Sequence, residues 1–146
     1  MTITECTSND LEDWVAMRTA LWPEYVPEEL REGAAAMLGT AGMLVLIARA
    51  ANGEPAGFAE ASIRRDYVNG CETSPVTFLE GIYVAPEHRR HAVARRLCDA
   101  VADWGRTLGC TEFASDAYLD NSAGHAFHAA IGFEETERVV YFRKAL

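Results

Sequence analysis

Four arginines gather around the junction of an apolar strand and a helix in the stretch Phe78 to Leu97. The stretch opens with Phe78-Leu79-Glu80-Gly81-Ile82-Tyr83-Val84 and passes Pro86 and the charged turn Glu87-His88-Arg89-Arg90-His91. It then becomes helical through Val93, Leu97, Val101 and Trp104, whose spacing puts them on one helix face. The first N–H groups of such a helix have no intrahelical acceptor and sit at the positive end of the aligned peptide dipoles. A pyrophosphate would be held there by backbone donors, with Arg89, Arg90, Arg95 and Arg96 adding charge.

The rest of the chain is acidic. Its 146 residues carry 13 Lys and Arg against 22 Asp and Glu, a formal net charge of −9, which repels nucleic acid and anionic membrane. The excess suits a cationic small molecule, and solubility alone would explain it equally well. At 49% hydrophobic residues, the length fits one domain spanning 1–146 with a single core. Cys6, Cys71, Cys98 and Cys110 form no CxxC pair, as expected of reduced thiols in a cytoplasmic protein. Neither a signal-peptide pattern nor a bilayer-length apolar run stands in the sequence. His125 and His128 at i, i+3 lack an evident third ligand, so no metal is expected.

The elements that must position the junction follow in order. Ile3 to Cys6 is expected as a strand, and Ser8-Asn9-Asp10 as the cap of a helix through Leu21, closed by Trp22-Pro23. A second helix is expected from Pro27-Glu28-Glu29 to Leu38. Met43 to Ala48 and Pro55 to Arg64 flank the Asn52-Gly53 turn as a hairpin, and with Phe78 to Val84 they form a meander. The polar excursion Arg65 to Pro75 is longer than a hairpin needs and is a candidate substrate rim. Thr111 to Ser115 reads as a strand, Ser122 to Ala130 as a short helix, and Arg138-Val139-Val140-Tyr141-Phe142-Arg143 as a closing strand.

The motif Val84-x-Pro86-x-x-Arg89-Arg90-x-Ala92-Val93-Ala94 resembles the acetyl-coenzyme A signature of the GNAT N-acetyltransferases, with Ala92 where that family has glycine. Asn121 with His128 and Gly132-Phe133 resembles the family's Asn…Tyr-x-x-x-Gly-Phe pattern, with histidine in place of tyrosine. The resemblance implies an α/β (α+β) GNAT fold: a mixed, mostly antiparallel sheet with central splayed parallel strands and about four flanking helices. It also implies acetyl-CoA as cosubstrate, with pantetheine along Ile82, Tyr83 and Val84, pyrophosphate at Arg89, Arg90, His91, Ala92, Val93, Ala94 and Arg95, and Asn121 on the opposite side.

A narrower resemblance is to the aminoglycoside 6′-N-acetyltransferases. It rests on Leu21-Trp22-Pro23, Asp66-Tyr67-Val68-Asn69-Gly70-Cys71, Phe78 to Ile82, Ala114-Ser115-Asp116 and Gly132 to Val139. By that resemblance Trp22, Tyr67, Glu80, Asp116 and Glu137 contact the substrate, and three carboxylates would receive a polycationic aminosugar. Each has a plainer reading. Trp22 could cover a helix end, Tyr67 an ordinary surface, Glu80 a sheet edge, Asp116 a loop cap, and Glu137 a solvated face with Glu134 and Glu135. Glu80 leads and Asp116 follows as proton acceptor, with solvent a third route. His128 either donates to the thiolate or packs in the last helix. The resemblance implies acetyl transfer to aminoglycoside antibiotics, hence resistance, by a homodimer. Acetylation of another amine, or a non-catalytic acyl-CoA sensor, are the rival readings.

Overall fold

A computed structural model describes all residues 1–146. Nine elements follow in order: β1 (Thr2–Glu5), α1 (Leu11–Leu21), α2 (Pro27–Met37), β2 (Met43–Arg49), β3 (Pro55–Arg64), β4 (Val76–Val84), α3 (Val93–Thr107), β5 (Phe113–Ser115) and α4 (Ser122–Ala130). The strands form one sheet in the order β1-β2-β3-β4-β5, antiparallel throughout except for the parallel pair β4 and β5.

Both faces of this sheet are covered, which is why β2 reads as an unbroken apolar run rather than an alternating one. On one face Val93, Leu97, Cys98 and Val101 of α3 pack on Leu44, Leu46, Ala59, Ala61 and Leu79. On the other, Trp14, Val15 and Met17 of α1 and Ala34 of α2 pack on Val45, Ile47 and Phe58. Fully burying a side chain such as Leu97 stabilises the fold by about 1.5–3 kcal/mol. Burial also pushes the Cys6 and Cys98 thiols up to about 12, and all four cysteines are free.

Local signals explain the joints. Thr7 and Asp10 form a reciprocal capping box around a short 3-10 turn at Ser8–Asp10, so the cap lies one residue earlier than the Ser-Asn-Asp run implies. Pro27 opens α2 at a position where the missing N–H costs nothing. The Asn52 side chain accepts from the Glu54 N–H at 3.1 Å, and Gly53 takes the positive φ of +88° that closes the β2–β3 hairpin.

Two expectations change. The strand expected at Arg138–Arg143 is absent: residues 133–146 form no regular element, and Val140, Tyr141 and Phe142 are 72%, 85% and 93% exposed. No strand of the chain lies beyond β5, so its outer edge is open. The alternating pattern of that tail suits a strand, but a strand needs a partner edge, and here the tail reaches none. The fifth strand is also shorter than expected, beginning at Phe113 rather than Thr111, and its parallel ladder with β4 runs only over Thr77–Leu79.

Gly105 sets how closely α3 approaches the sheet. A Cβ there would lie 1.9 Å from Thr77 Oγ1, so the helix seats on β4 only because that atom is missing. Gly105→Ala gains about 1 kcal/mol of helix propensity, but overpacking costs about 1–3 kcal/mol. Denaturant unfolding should therefore show a less stable protein with an unchanged m-value.

Candidate active site

The site begins with a fault in the β-ladder. Glu60 of β3 pairs with Gly81, yet the next residue, Ala61, pairs with Leu79, which leaves Glu80 without a partner as a β-bulge. A bulge bends its strand and re-aims the extra side chain. On the other side of β4, parallel pairing with β5 ends at Leu79 with Ser115. Beyond the bulge, β4 continues to Val84 with one edge unpaired, and Gly81, Ile82, Tyr83 and Val84 are only half-buried. Unpaired backbone N–H and C=O groups of this kind receive an extended ligand as an added strand.

The turn after β4 is held in an unusual conformation. Arg90 and Ala92 both adopt left-handed backbone, at φ +65° and +58°. For a residue with a Cβ this costs roughly 1–2 kcal/mol, which accounts for the advantage glycine would have at position 92. Ala92 caps α3 with no side-chain hydrogen bond, so the first N–H groups of a 15-residue helix stay available to an anion. The arginines also shape the turn. Arg89 donates to the Val84 carbonyl at 3.0 Å, Arg95 to Ala130 at 2.7 Å and Arg96 to Met1 at 3.3 Å. A carbonyl partner leaves the guanidinium charge uncompensated, so these bonds fix its place without removing its attraction for phosphate. Asn121 caps α4, accepting from the Gly124 N–H at 3.0 Å.

Beside the bulge opens a cleft of about 430 Å³ lined by Arg18, Trp22, Met37, Met43, Glu60, Ser62 and Glu80. Glu60, 2% exposed, accepts from Trp14 Nε1 at 2.9 Å and from Arg18 Nε at 2.7 Å. Burial pushes the Glu60 carboxyl above the usual carboxylate range, and the Arg18 guanidinium and Trp14 indole oppose that shift. Arg18 also donates to the Leu30 carbonyl and lies against both Trp14 and Trp22, 5.5 and 5.1 Å from the ring centres. Trp22 is therefore set by packing on a neutralised ion pair rather than merely covering a helix end. Its ring rests on Gly81, where a Cβ would come within 2.7 Å of it.

Glu80 is held from β3. Ser62 Oγ donates to Glu80 Oε1 at 2.6 Å, and Arg64 reaches both carboxylate oxygens at 2.9 Å while stacking on Phe78. The neighbouring loop is pinned as well. Val68 is buried with Val76 and Phe78, and Glu112 accepts from the Glu72 and Thr73 N–H groups at 2.9 and 2.7 Å.

Of the residues read from sequence, Trp22 and Glu80 share the cleft. Tyr67, Asp116 and Glu137 do not line it. Tyr67 is 75% exposed on the loop before β4, and Asp116 follows Ser115 where β4 and β5 part. Glu137 accepts from the Gly70 N–H at 3.1 Å and the Asn69 amide at 3.4 Å, which places it against that loop rather than on a free solvated face. Sequence reasoning missed Arg18, Glu60, Ser62 and Arg64. A signal existed: Trp14, Arg18 and Trp22 recur every four residues, and Glu60 is a lone carboxylate in an apolar strand. No group of three His, Cys, Asp or Glu side chains is gathered as a metal would require. No helix is long and apolar enough to cross a membrane.

The Acetyltransferase (GNAT) family profile matches residues 12–133. The chain belongs to the GNAT acetyltransferase family. Its relatives include an aminoglycoside N(6′)-acetyltransferase type 1 of Acinetobacter baumannii, 48% identical over 99% of this chain and 98% of that one. A crystal structure of an aminoglycoside 6′-N-acetyltransferase from Acinetobacter haemolyticus superimposes with a TM-score of 0.96 at 44% identity, covering 100% and 99% of the two chains. AAC(6′)-Iy, solved with the bisubstrate analogue CoA-S-monomethyl-acetylneamine, gives a TM-score of 0.93 at 43% identity over 99% and 98%. In GNAT terms, the splayed strands are β4 and β5.

Because Trp22 seats on the missing side chain of Gly81, Gly81→Ala should displace the ring. Steady-state kinetics should then show acceptor KM raised roughly tenfold or more, with KM for acetyl-CoA changed far less.

Proposed function

We propose that this GNAT enzyme transfers an acetyl group from acetyl-CoA to the 6′-amine of aminoglycosides, and so confers resistance by removing a cation the drug needs. The observation that carries this reading is the meeting of an unpaired β4 edge with a cleft that holds a buried carboxylate, a second carboxylate on a bulge and a tryptophan. The names of relatives aligned over the full chain support the same reading. The α3 start and its arginines bind the pyrophosphate, and Ile82 to Val84 pair with the pantetheine arm. Asn121 contacts the carrier from the α4 side.

Trp22, Tyr67, Glu80, Asp116 and Glu137 receive the aminosugar. Ammonium groups entering a site edged by carboxylates are held by charge-assisted hydrogen bonds and oriented for attack on the thioester. The two candidate bases differ. Glu80 is already engaged by Ser62 and Arg64, whereas Asp116 makes no hydrogen bond or ion pair within the chain and is freer to take the amine's proton.

One domain carries both sites, the protein works in the cytoplasm, and it assembles as a homodimer. The free thiols fit a reducing compartment. The exposed Val139-Val140-Tyr141-Phe142 segment and the open edge of β5 fit pairing between two copies, since each supplies what the other lacks.

An acceptor panel with product regiochemistry tests the function: 6′-acetylated kanamycin-type products are expected, and release of coenzyme A only with spermidine-type amines, or with none, would overturn it. Within that assay Asp116→Asn should lower kcat at least about tenfold, while Glu80→Gln should raise acceptor KM about 10- to 100-fold, the value of a hydrogen bond to a charged group. For the assembly, sedimentation should give about twice the 16.0 kDa chain mass, and removal of residues 139–146 should return the monomer.

A further inference from the structure

Glu80 reaches the cleft with a cation already attached. Ser62 Oγ, Arg64 Nε and Arg64 Nη2 all donate to its Oε1, at 2.6, 3.1 and 2.9 Å, whereas Oε2 accepts only from Arg64 Nη2 at 2.9 Å. A carboxylate offers about four lone-pair directions, shared between its two oxygens, so Oε2 keeps one for a ligand. Glu80 lines the cleft and Arg64 does not. The acceptor therefore meets the carboxylate oxygen, with the positive charge beside it.

Arg64 is not placed to swing away when an ammonium arrives. Its guanidinium carbon lies 3.5 Å from the centre of the Phe78 ring, and Phe78 is itself buried against Val68 and Val76. Stacking on a buried ring and a forked bond to a carboxylate are two separate holds on one planar group. The backbone is fixed too, since Arg64 ends β3 in register with Val76 of β4. Glu60, the other carboxylate lining the cleft, is likewise paired, with Arg18 Nε at 2.7 Å. Both acids thus carry a guanidinium, and the cleft offers hydrogen-bond acceptors with little net negative charge.

This balance bears on the chemistry because the acceptor arrives as an ammonium, which has no lone pair. It must give a proton to Asp116 before its nitrogen can bond to the thioester carbon, the C–S electron pair then leaving with sulfur. A bare carboxylate in contact with an amine favours the charged, unreactive form, and a neighbouring positive charge opposes that preference. The bulge sets Glu80 directly after the last β4–β5 pair, Leu79 with Ser115, where a donor arm paired along Val84 to Ile82 would end. An amine on Glu80 Oε2 is then the one beside the thioester. We infer that Arg64 is a positioning residue that acts through Glu80: it leaves Oε2 free to orient the reacting amine while keeping that amine from being held as a cation. The inference rests on the acetyl-transfer reading above. Looser binding of the ammonium is exchanged for faster attack, since only stabilisation that survives into the transition state speeds the reaction.

Single-turnover transfer to kanamycin from the acetyl-CoA complex, at one neutral pH and across acceptor concentration, tests this in wild type, Arg64→Met and Arg64→Lys. Methionine keeps an apolar stem on Phe78 and removes the charge, whereas lysine keeps the charge and loses the fork. Arg64→Met should lower the half-saturating kanamycin concentration about three- to fivefold, the upper range for an exposed ion pair. The saturating rate should fall by the same factor, so that the ratio of the two stays within about twofold of wild type. Arg64→Lys should keep both constants within about twofold of wild type. A half-saturation that stays or rises in Arg64→Met would make Arg64 only a brace for Glu80. One that falls with the saturating rate unchanged would put the reacting amine elsewhere. Either result overturns the inference, as does a lysine variant that behaves like the methionine one. If Arg64→Met does not fold, Arg64→Gln takes its place with the same expectations. If wild type transfers nothing to kanamycin, the function proposed above fails, and Arg64 is tested with whichever amine releases coenzyme A.

Discussion

The site depends on one constraint: β4 must stay paired to β3 while it stops being paired to β5. The bulge at Glu80 meets it by breaking register on the β3 side at the point where parallel pairing to Ser115 ends. On the edge that faces β5, backbone polar groups along Ile82 to Val84 then lack a strand partner, and such groups are costly to leave unmet when a site closes over them. An extended, peptide-like ligand would satisfy them. The same break turns a carboxylate out of the ladder and into the cleft, so the unpaired edge and the lining of the cleft arise from a single local irregularity.

Charge in the cleft is more balanced than the composition suggests. Glu60 is neutralised by Arg18 at 2.7 Å, and Glu80 is held by Arg64 at 2.9 Å. A buried ion pair of this kind contributes little net stability, but loss of one partner strands the other charge, at a cost of about 3–5 kcal/mol. Its more evident effect is positional: Arg18 lies between two indole rings and holds Trp22 over Gly81. The cleft thus presents a rigid aromatic wall and carboxylates with neighbours already in place, while Asp116 remains unpartnered at the strand end.

The turn between β4 and α3 is built differently. Its shape is held by two residues in left-handed backbone and by arginines bonded to carbonyls of β4, α4 and the N-terminus. Strain of this kind persists only where surrounding contacts over-determine it, and here it keeps the first N–H groups of α3 free of side-chain caps.

Sequence by itself determined the elements whose signals are local: the proline that opens α2, the Asn-Gly hairpin, the apolar face of α3 and the strand-turn-helix that joins β4 to α3. It also carried the fragments that mark Trp22, Glu80 and Asp116. The tail misled it, because Arg138 to Arg143 has the alternation of a strand and alternation says nothing about whether an edge is within reach. Tertiary structure alone decided the bulge, the pairing of Arg18 with a carboxylate 42 residues away, the hold of Ser62 and Arg64 on Glu80, and the meeting of His128 with Ser115. The physical reason is common to all four: local propensity reads a residue against its neighbours in the chain, whereas a hydrogen bond between distant side chains exists only after the sheet and helices have closed around both.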